Sequence, residues 1–193
     1  VNAGSCLAGW WRAIVWCMPS SYLCTDDDIV ALATPRGQGA LAVIRACGPA
    51  SLDRMARAFS RPDALRMAPG HTAVVGQVLG ADGAAVDEAV LLVFRSPASY
   101  TGQDGVDLTC HGGQASATRV LAALEAAGFR PALPGEFTFR AFAAGKMDLA
   151  RAEAVGELVA ARTVAAQADA LERLTGGLSH EIAVIRTEVV RLA

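Results

Sequence analysis

Gly37-Gln38-Gly39-Ala40-Leu41-Ala42-Val43-Ile44-Arg45 is the stretch on which the fold turns. Its first six residues match the G-x-G-x-x-G/A fingerprint of a dinucleotide-binding βαβ unit. That fingerprint works only where it opens a helix, so that the helix N-terminus faces a pyrophosphate. Here it runs instead into Val43-Ile44, a β-branched pair that favours a strand. A strand at 41–45 argues against the doubly wound nucleotide fold and sets the reading of its neighbours. Further short β-type runs lie at 29–33, 72–79, 89–95 and 106–110, with Asp82-Gly83 as a turn signal between the third and fourth runs. Leu52, Met55, Ala56 and Phe59 recur at helical spacing after Pro49, and a second helix after Gly112-Gly113 turns Val120, Leu121 and Leu124 inward until Gly128 ends it. Strands interleaved with single helices predict an α+β domain.

Past Pro134-Gly135 the pattern changes to alanine-rich helix. One helix is expected at 136–145 and a second at 148–174, with Gly176-Gly177 breaking the chain before a third. In the third, Leu178, Ile182, Ile185, Val189 and Leu192 step by 4, 3, 4 and 3, a heptad seam still running at the last residue. An apolar stripe of that kind needs a partner, so these helices read as the opening of a larger all-α bundle. The expected division is an extension at 1–25, an α+β domain at 26–147 and a partial helical domain at 148–193.

Composition narrows the classes of function. Hydrophobic residues make up 53% of the chain and charged residues 19%, which excludes a disordered chain. With 17 Lys+Arg against 19 Asp+Glu, the formal charge is −2, so any nucleic-acid contact must come from a local patch or a partner. The five cysteines, Cys6, Cys17, Cys24, Cys47 and Cys110, form no C-x-x-C pair and read as reduced thiols. The apolar run at 7–17 contains Arg12 and is shorter than the roughly 20 residues a bilayer span requires, so no membrane role is expected. Residues 1–25 carry all three tryptophans and three of the five cysteines. They read as an atypical, poorly ordered extension, with Met18 as a candidate true start.

Several chemical motifs fail on inspection. Gly145-Lys146 resembles the end of a P-loop, but Arg140 stands where the first glycine belongs and Met147 where the Ser/Thr metal ligand belongs. His71, His111 and His180 are scattered and there is no G-x-S-x-G elbow. Cys110 and His111 are adjacent in a strand, so their side chains diverge. Gly112-Gly113 reads either as an anion-facing helix start or as a tight strand-to-helix turn. Three charges interrupt or end apolar elements and need partners: Arg45, Asp107 and Lys146. Either Arg45 and Asp107 pair with one another or face solvent, or the charges line a cleft for a ligand with anionic and donor-rich ends.

Longer motifs carry a resemblance. Asp28-Ile29-Val30-Ala31-Leu32-Ala33-Thr34-Pro35, Gly39 to Arg45, Gly48-Pro49, Ser99-Tyr100-Thr101-Gly102 and His111-Gly112-Gly113 occur in order. Arg130-Pro131, Pro134-Gly135-Glu136-Phe137-Thr138, Arg140-Ala141-Phe142 and Gly145-Lys146-Met147-Asp148-Leu149-Ala150-Arg151-Ala152-Glu153-Ala154-Val155 follow. Together, from about residue 26 onward, they resemble the MnmE/TrmE family of tRNA modification GTPases.

The resemblance implies an N-terminal tetrahydrofolate-binding-like domain, a mixed sheet with helices, followed by the first helices of a helical domain. It implies homodimerisation through the N-terminal domain and binding of 5-formyltetrahydrofolate or another tetrahydrofolate. In the intact family a flavoprotein partner, MnmG, acts with it to add an aminomethyl or carboxymethylaminomethyl group at C5 of the wobble uridine, U34, of tRNA. GTP, magnesium and potassium are bound by a G domain that this chain does not match, so the chain alone is expected to have no GTPase activity and to be an N-terminal fragment or truncated product. A cytoplasmic location is implied. The family's folate contacts carry over to Arg45, Asp107 and Lys146. Asp107 stands where the family usually has Glu and is shorter by the ~1.5 Å of one carbon–carbon bond. Gln103 replaces a customary acid, and Gly105 is expected to add flexibility beside it. The alternatives are a dimerisation and docking module with a vestigial folate cleft, and a folate-dependent aminomethyltransferase-like protein.

Overall fold

In the computed structural model, the structure describes residues 25–176 together with Ile185, Thr187, Glu188, Val190 and Arg191, which are helical. Most of residues 1–25 and most of the heptad seam therefore lie outside the described residues. Six strands form one sheet: β1 (Ile29–Leu32), β2 (Leu41–Cys47), β3 (Thr72–Leu79), β4 (Ala85–Phe94), β5 (Gly105–His111) and β6 (Arg130–Pro131). Their spatial order is β3-β4-β5-β2-β1-β6. All neighbours are antiparallel except β1 and β6, which run parallel, so the sheet is mixed as expected.

Six helices complete the labelled elements: α1 (Ser51–Arg57), α2 (Pro62–Met67), α3 (Gln114–Ala126), α4 (Glu136–Ala143), α5 (Leu149–Ala160) and α6 (Val164–Leu174). Ile44, Leu91, Val93 and Leu108 on one sheet face join Leu52, Met55, Val120 and Leu124 of α1 and α3 in a single core. Burying a Leu, Ile or Met side chain contributes about 1.5–3 kcal/mol, so this face holds the domain together. Phe59, expected on α1, lies just beyond it, buried against β3. A Cβ on Gly76 would come within 2.5 Å of the Phe59 ring, so the strand needs glycine there.

The outer edge of β3 is not bare. Ser60 N–H donates to Gln77 O (2.9 Å), Leu79 N–H to Ala58 O (2.8 Å) and the Arg61 guanidinium to Val75 O (3.1 Å). At the opposite edge β6 has two residues, one of them Pro131.

Four expectations need correction. Strand β4 starts at Ala85 rather than 89, because Asp87 and Glu88 pair with Val78 and Gln77 of β3 despite their charge. Helix α2 has no strong apolar stripe in the sequence, and Pro62 at its first turn starts it. The single helix expected at 148–174 is two, because Thr163 accepts a hydrogen bond from Ala166 N–H at 3.1 Å and so caps a new helix. Gly105 is no flexible point: it is buried at the start of β5, opposite Cys47, and a Cβ there would lie 2.9 Å from Ala46 O.

Candidate functional site

The strand registers bring the first two candidate residues side by side. Arg45 lies directly opposite Asp107 across β2 and β5. Arg45 Nε donates to Asp107 Oδ1 and Nη2 to Oδ2, both at 2.8 Å, a forked charge-assisted pair. This hydrogen bond, opposed by partial burial, holds the guanidinium pKa above its ordinary value. The pair is half-buried, with 38% of the Arg45 side chain and 18% of the Asp107 side chain exposed. One sequence reading, that the two charges satisfy each other, thus describes their geometry.

A loop at 96–103 builds the wall of the cleft. Tyr100 sets its ring 5.6 Å from the Arg45 guanidinium carbon, within cation–π reach. Its hydroxyl is 3.0 Å from Thr138 Oγ1 of α4, which fixes the ring. Lys146 reaches this loop rather than the pair: Nζ donates to Pro97 O at 2.9 Å, and its stem packs beside Gly102. The structure therefore brings Arg45 and Asp107 together and puts Lys146 on the rim of the same loop. The enclosed part of the cleft, lined by Arg45, Cys47, Tyr100, Thr101, Asp107 and Phe137, measures about 50 Å³.

Behind the cleft sits an ion network that sequence reasoning did not assign to the site. Arg140 and Glu136, 2% and 1% exposed, pair at 3.0 Å within α4, and Arg130 donates to Glu136 at 2.6 Å. Asp27 joins both arginines. Burial alone would raise the Glu136 and Asp27 pKa values, but the arginine hydrogen bonds prevail and hold both below the ordinary carboxylate range. Gln103 accepts from Arg140 at 3.2 Å and donates to Thr25 O at 2.7 Å. Burial pushes the neighbouring Cys47 thiol up to about 11. The available signal was Arg130 and Arg140 flanking Glu136 at i−6 and i+4, the second a helical pairing distance.

The remaining motifs resolve structurally. Gly112 N–H donates to Ala40 O at 3.1 Å and Gly39 N–H to Gly112 O at 3.0 Å, so Gly112 makes a tight turn against the β1–β2 loop. His111 is exposed and bonds Asp87 through Nδ1 at 2.6 Å, while Cys110 is buried, so the two side chains diverge as expected. Asp87 also accepts from Ser116 of α3. A larger hollow of about 590 Å³ lies between the 34–40 loop and α3. Among the described residues no cluster of three His, Cys, Asp or Glu is placed to hold a metal ion, and no helix is long and apolar enough to cross a membrane.

The family model described as "GTP-binding protein TrmE N-terminus" matches residues 28–146, more than half of the chain and all of the sheet. The chain belongs to the TrmE N-terminal family. Its similarity extends to full-length relatives called tRNA modification GTPase MnmE. The Treponema pallidum (strain Nichols) protein is 48% identical over 161 residues, 83% of this chain and 32% of the relative. The Thermus thermophilus protein is 45% identical over 166 residues, 86% of this chain and 38% of the relative. The Chlorobium luteolum protein is 45% identical over 175 residues, 88% of this chain and 37% of the relative. This TrmE-type chain thus spans about a third of the length of these relatives, and Arg45, Asp107 and Lys146 all fall within the matched span.

Proposed function

We propose that this chain is the N-terminal part of a tRNA modification GTPase and that it holds a tetrahydrofolate, such as 5-formyltetrahydrofolate, against Arg45, Asp107 and Lys146. The observation that carries this reading is the Arg45–Asp107 fork beside Tyr100. The donor set fits the ligand. A pterin edge offers amino and ring N–H donors next to a carbonyl acceptor. Asp107 keeps unused lone pairs for the donors, and Arg45 pairs through Nε and Nη2, leaving Nη1 to face an acceptor. Lys146 supplies a cation at the rim for a carboxylate. The enclosed 50 Å³ holds about one or two waters, so most of such a ligand lies outside it, against Tyr100 and the open sheet face.

When bound, the folate supplies a one-carbon unit. The chain's own residues anchor and orient it: the fork fixes the polar edge, and the Tyr100 ring sets a flat apolar wall. The α4 network holds the 96–103 loop through Gln103, so it preorganises the wall without touching the ligand. In the intact protein we place this chain in a homodimer in the cytoplasm. There it acts with the flavoprotein MnmG on the wobble uridine of tRNA, with GTP, magnesium and potassium bound in the part of the protein beyond this chain. The mutual satisfaction of Arg45 and Asp107 favours one second reading, a dimerisation module whose cleft is vestigial.

Calorimetric titration of 5-formyltetrahydrofolate into the chain separates the two. Saturable binding that is lost in folded Arg45→Ala and Lys146→Ala variants supports the folate site, and heat indistinguishable from dilution in a folded wild-type chain supports the vestigial cleft.

A further inference from the structure

Two glycine-bearing motifs that the Arg45–Asp107 cleft does not use meet at one hollow. Gly39 N–H donates to Gly112 O at 3.0 Å and Gly112 N–H to Ala40 O at 3.1 Å, so the 34–40 loop is tied to the turn that opens α3. Between loop and helix lies the space of about 590 Å³, within the roughly 300–1,000 Å³ of small-molecule sites. Leu32, Ala42 and Leu121 supply its apolar lining. Leu32 pairs with the core residue Ile44, and Ala42 shares the face of Ile44 on β2. The hollow therefore belongs to the α1 and α3 side of the sheet, not to the face that carries Arg45.

Its charged groups are uncommitted. The Arg36 guanidinium and the Glu125 carboxylate both line it, and among the described residues neither has a hydrogen-bond or ion-pair partner. Gln114 and Glu125, both on the hollow's side of α3, stand about 16 Å apart along the helix, so the polar wall is long. Gly39 adds a separate observation. Its φ is not positive, and an added Cβ would have only Leu41 O within 4 Å, at an ordinary 3.6 Å. Neither backbone conformation nor packing demands glycine at this point of the wall, whereas a ligand lying against bare backbone does.

We propose that this hollow binds a nucleoside 5′-monophosphate unit, either free or as a residue of an RNA chain. Arg36 pairs with the phosphate. Leu32 and Leu121 flank the base with apolar side chains. Glu125 accepts from ribose hydroxyls or an exocyclic amine. Charge complementarity selects this class: inorganic phosphate engages Arg36 alone, and a fatty acid sets hydrocarbon against the Glu125 carboxylate. The inference does not rest on folate binding and fails independently of it.

The test is titration of the isotope-labelled full chain with adenosine, guanosine, cytidine and uridine 5′-monophosphates, followed by amide chemical shifts. Uridine, inorganic phosphate and a short single-stranded RNA are the comparison ligands, and Arg36→Ala and Gly39→Ala the variants. The expected result is saturable shifts confined to residues 34–41 and 112–125 with at least one of the nucleotides. Affinity falls about tenfold or more in variants whose remaining spectrum matches the wild type. Both substitutions fall at exposed positions, and either folded variant suffices. RNA binding tighter than the nucleotide assigns the source to an RNA residue and weaker binding to a free nucleotide; both uphold the site. The proposal is overturned by the absence of saturable shifts with all four nucleotides, or by shifts centred on Arg45 and Asp107 instead. Uridine or inorganic phosphate binding as tightly as the nucleotide overturns it too, as does unchanged affinity in folded Arg36→Ala. Titration of the same sample with 5-formyltetrahydrofolate reads the residues around Arg45 and so decides the folate reading separately.

Discussion

Arg45 and Asp107 share two parallel hydrogen bonds of 2.8 Å across β2 and β5, on the face of the sheet that the core does not use. Asp107→Asn removes the carboxylate charge while keeping the side chain's shape. Because the pair is partly exposed, the stability lost is expected to be about 0.2–1 kcal/mol. The folate affinity is expected to fall about tenfold or more, since a charge-assisted contact contributes about 1.5–3 kcal/mol. Thermal unfolding and calorimetric titration of the same sample measure the two. A variant that binds 5-formyltetrahydrofolate as tightly as the wild type removes Asp107 from the site.

Glu136 is the buried hub of the network behind the cleft, bonded by Arg130, Arg140 and Leu133 N–H. Glu136→Ala leaves Arg140 buried without that partner, and breaking a buried pair from one side costs about 3–5 kcal/mol. The exposed Arg66–Asp53 pair is the control, with a loss of no more than about 1 kcal/mol expected for Arg66→Ala. Urea midpoints at unchanged m-value report both. Equal, small losses would show that the network contributes no more than a surface pair.

The His111–Asp87 contact gives a pH signature. The hydrogen bond to Asp87, with its negative charge, raises the His111 pKa above 6.5. The stabilisation linked to His111 is therefore fully present below about 6.5 and disappears as pH rises through the raised value. For Asp87, burial is outweighed by hydrogen bonds from Ser116 and His111, and the pKa falls below 3.8. Its contribution is present above the ordinary carboxylate range and disappears as pH falls through the lowered value. The difference in Tm between wild type and His111→Gln should be largest at mildly acidic pH and shrink through the neutral range. A difference that grows with pH contradicts the assignment.

Cys47 and Cys110 are both buried, and burial raises the pKa of each thiol, that of Cys47 to about 11. Only the thiolate is nucleophilic. Iodoacetamide at neutral pH should leave both unmodified in the folded chain and alkylate both in denaturant, as mapped by peptide mass spectrometry. Rapid labelling of Cys47 under native conditions would show that the cleft floor opens.

What the sequence disclosed depended on whether a residue's role was local. Val43-Ile44 and the 72–79 run announced strands because their β-branched side chains fit a pleated, half-buried surface. Thr163, the cap that splits the expected 148–174 helix, went unread because alanine-rich runs on both sides continue the helical pattern. The start of β4 was hidden because Asp87 and Glu88 are unfavourable strand residues, and Asp87 is used by His111 and Ser116, distant in sequence. Arg45, Asp107 and Lys146 were visible as charges in apolar settings. Their grouping was not, because opposition of Arg45 and Asp107 is a matter of strand register, and Lys146 meets the cleft through the 96–103 loop, at the carbonyl of Pro97 and beside Gly102. The Arg140–Glu136 network was the least legible, because it joins Asp27, Gln103, Arg130 and α4 across more than 100 residues of chain.

The treatment of the sheet edges constrains how copies of this chain can meet. On the β3 side, the Val75 and Gln77 carbonyls and the Gln77 and Leu79 amides are already held by residues 58–61. On the β6 side the strand is too short, and Pro131 offers no N–H. Over residues 75–79 and at β6, the described edges are poor templates for a strand from another molecule. Strand addition, which has no natural stopping point, is thereby disfavoured along these described edges, and association between copies there falls to faces and helices.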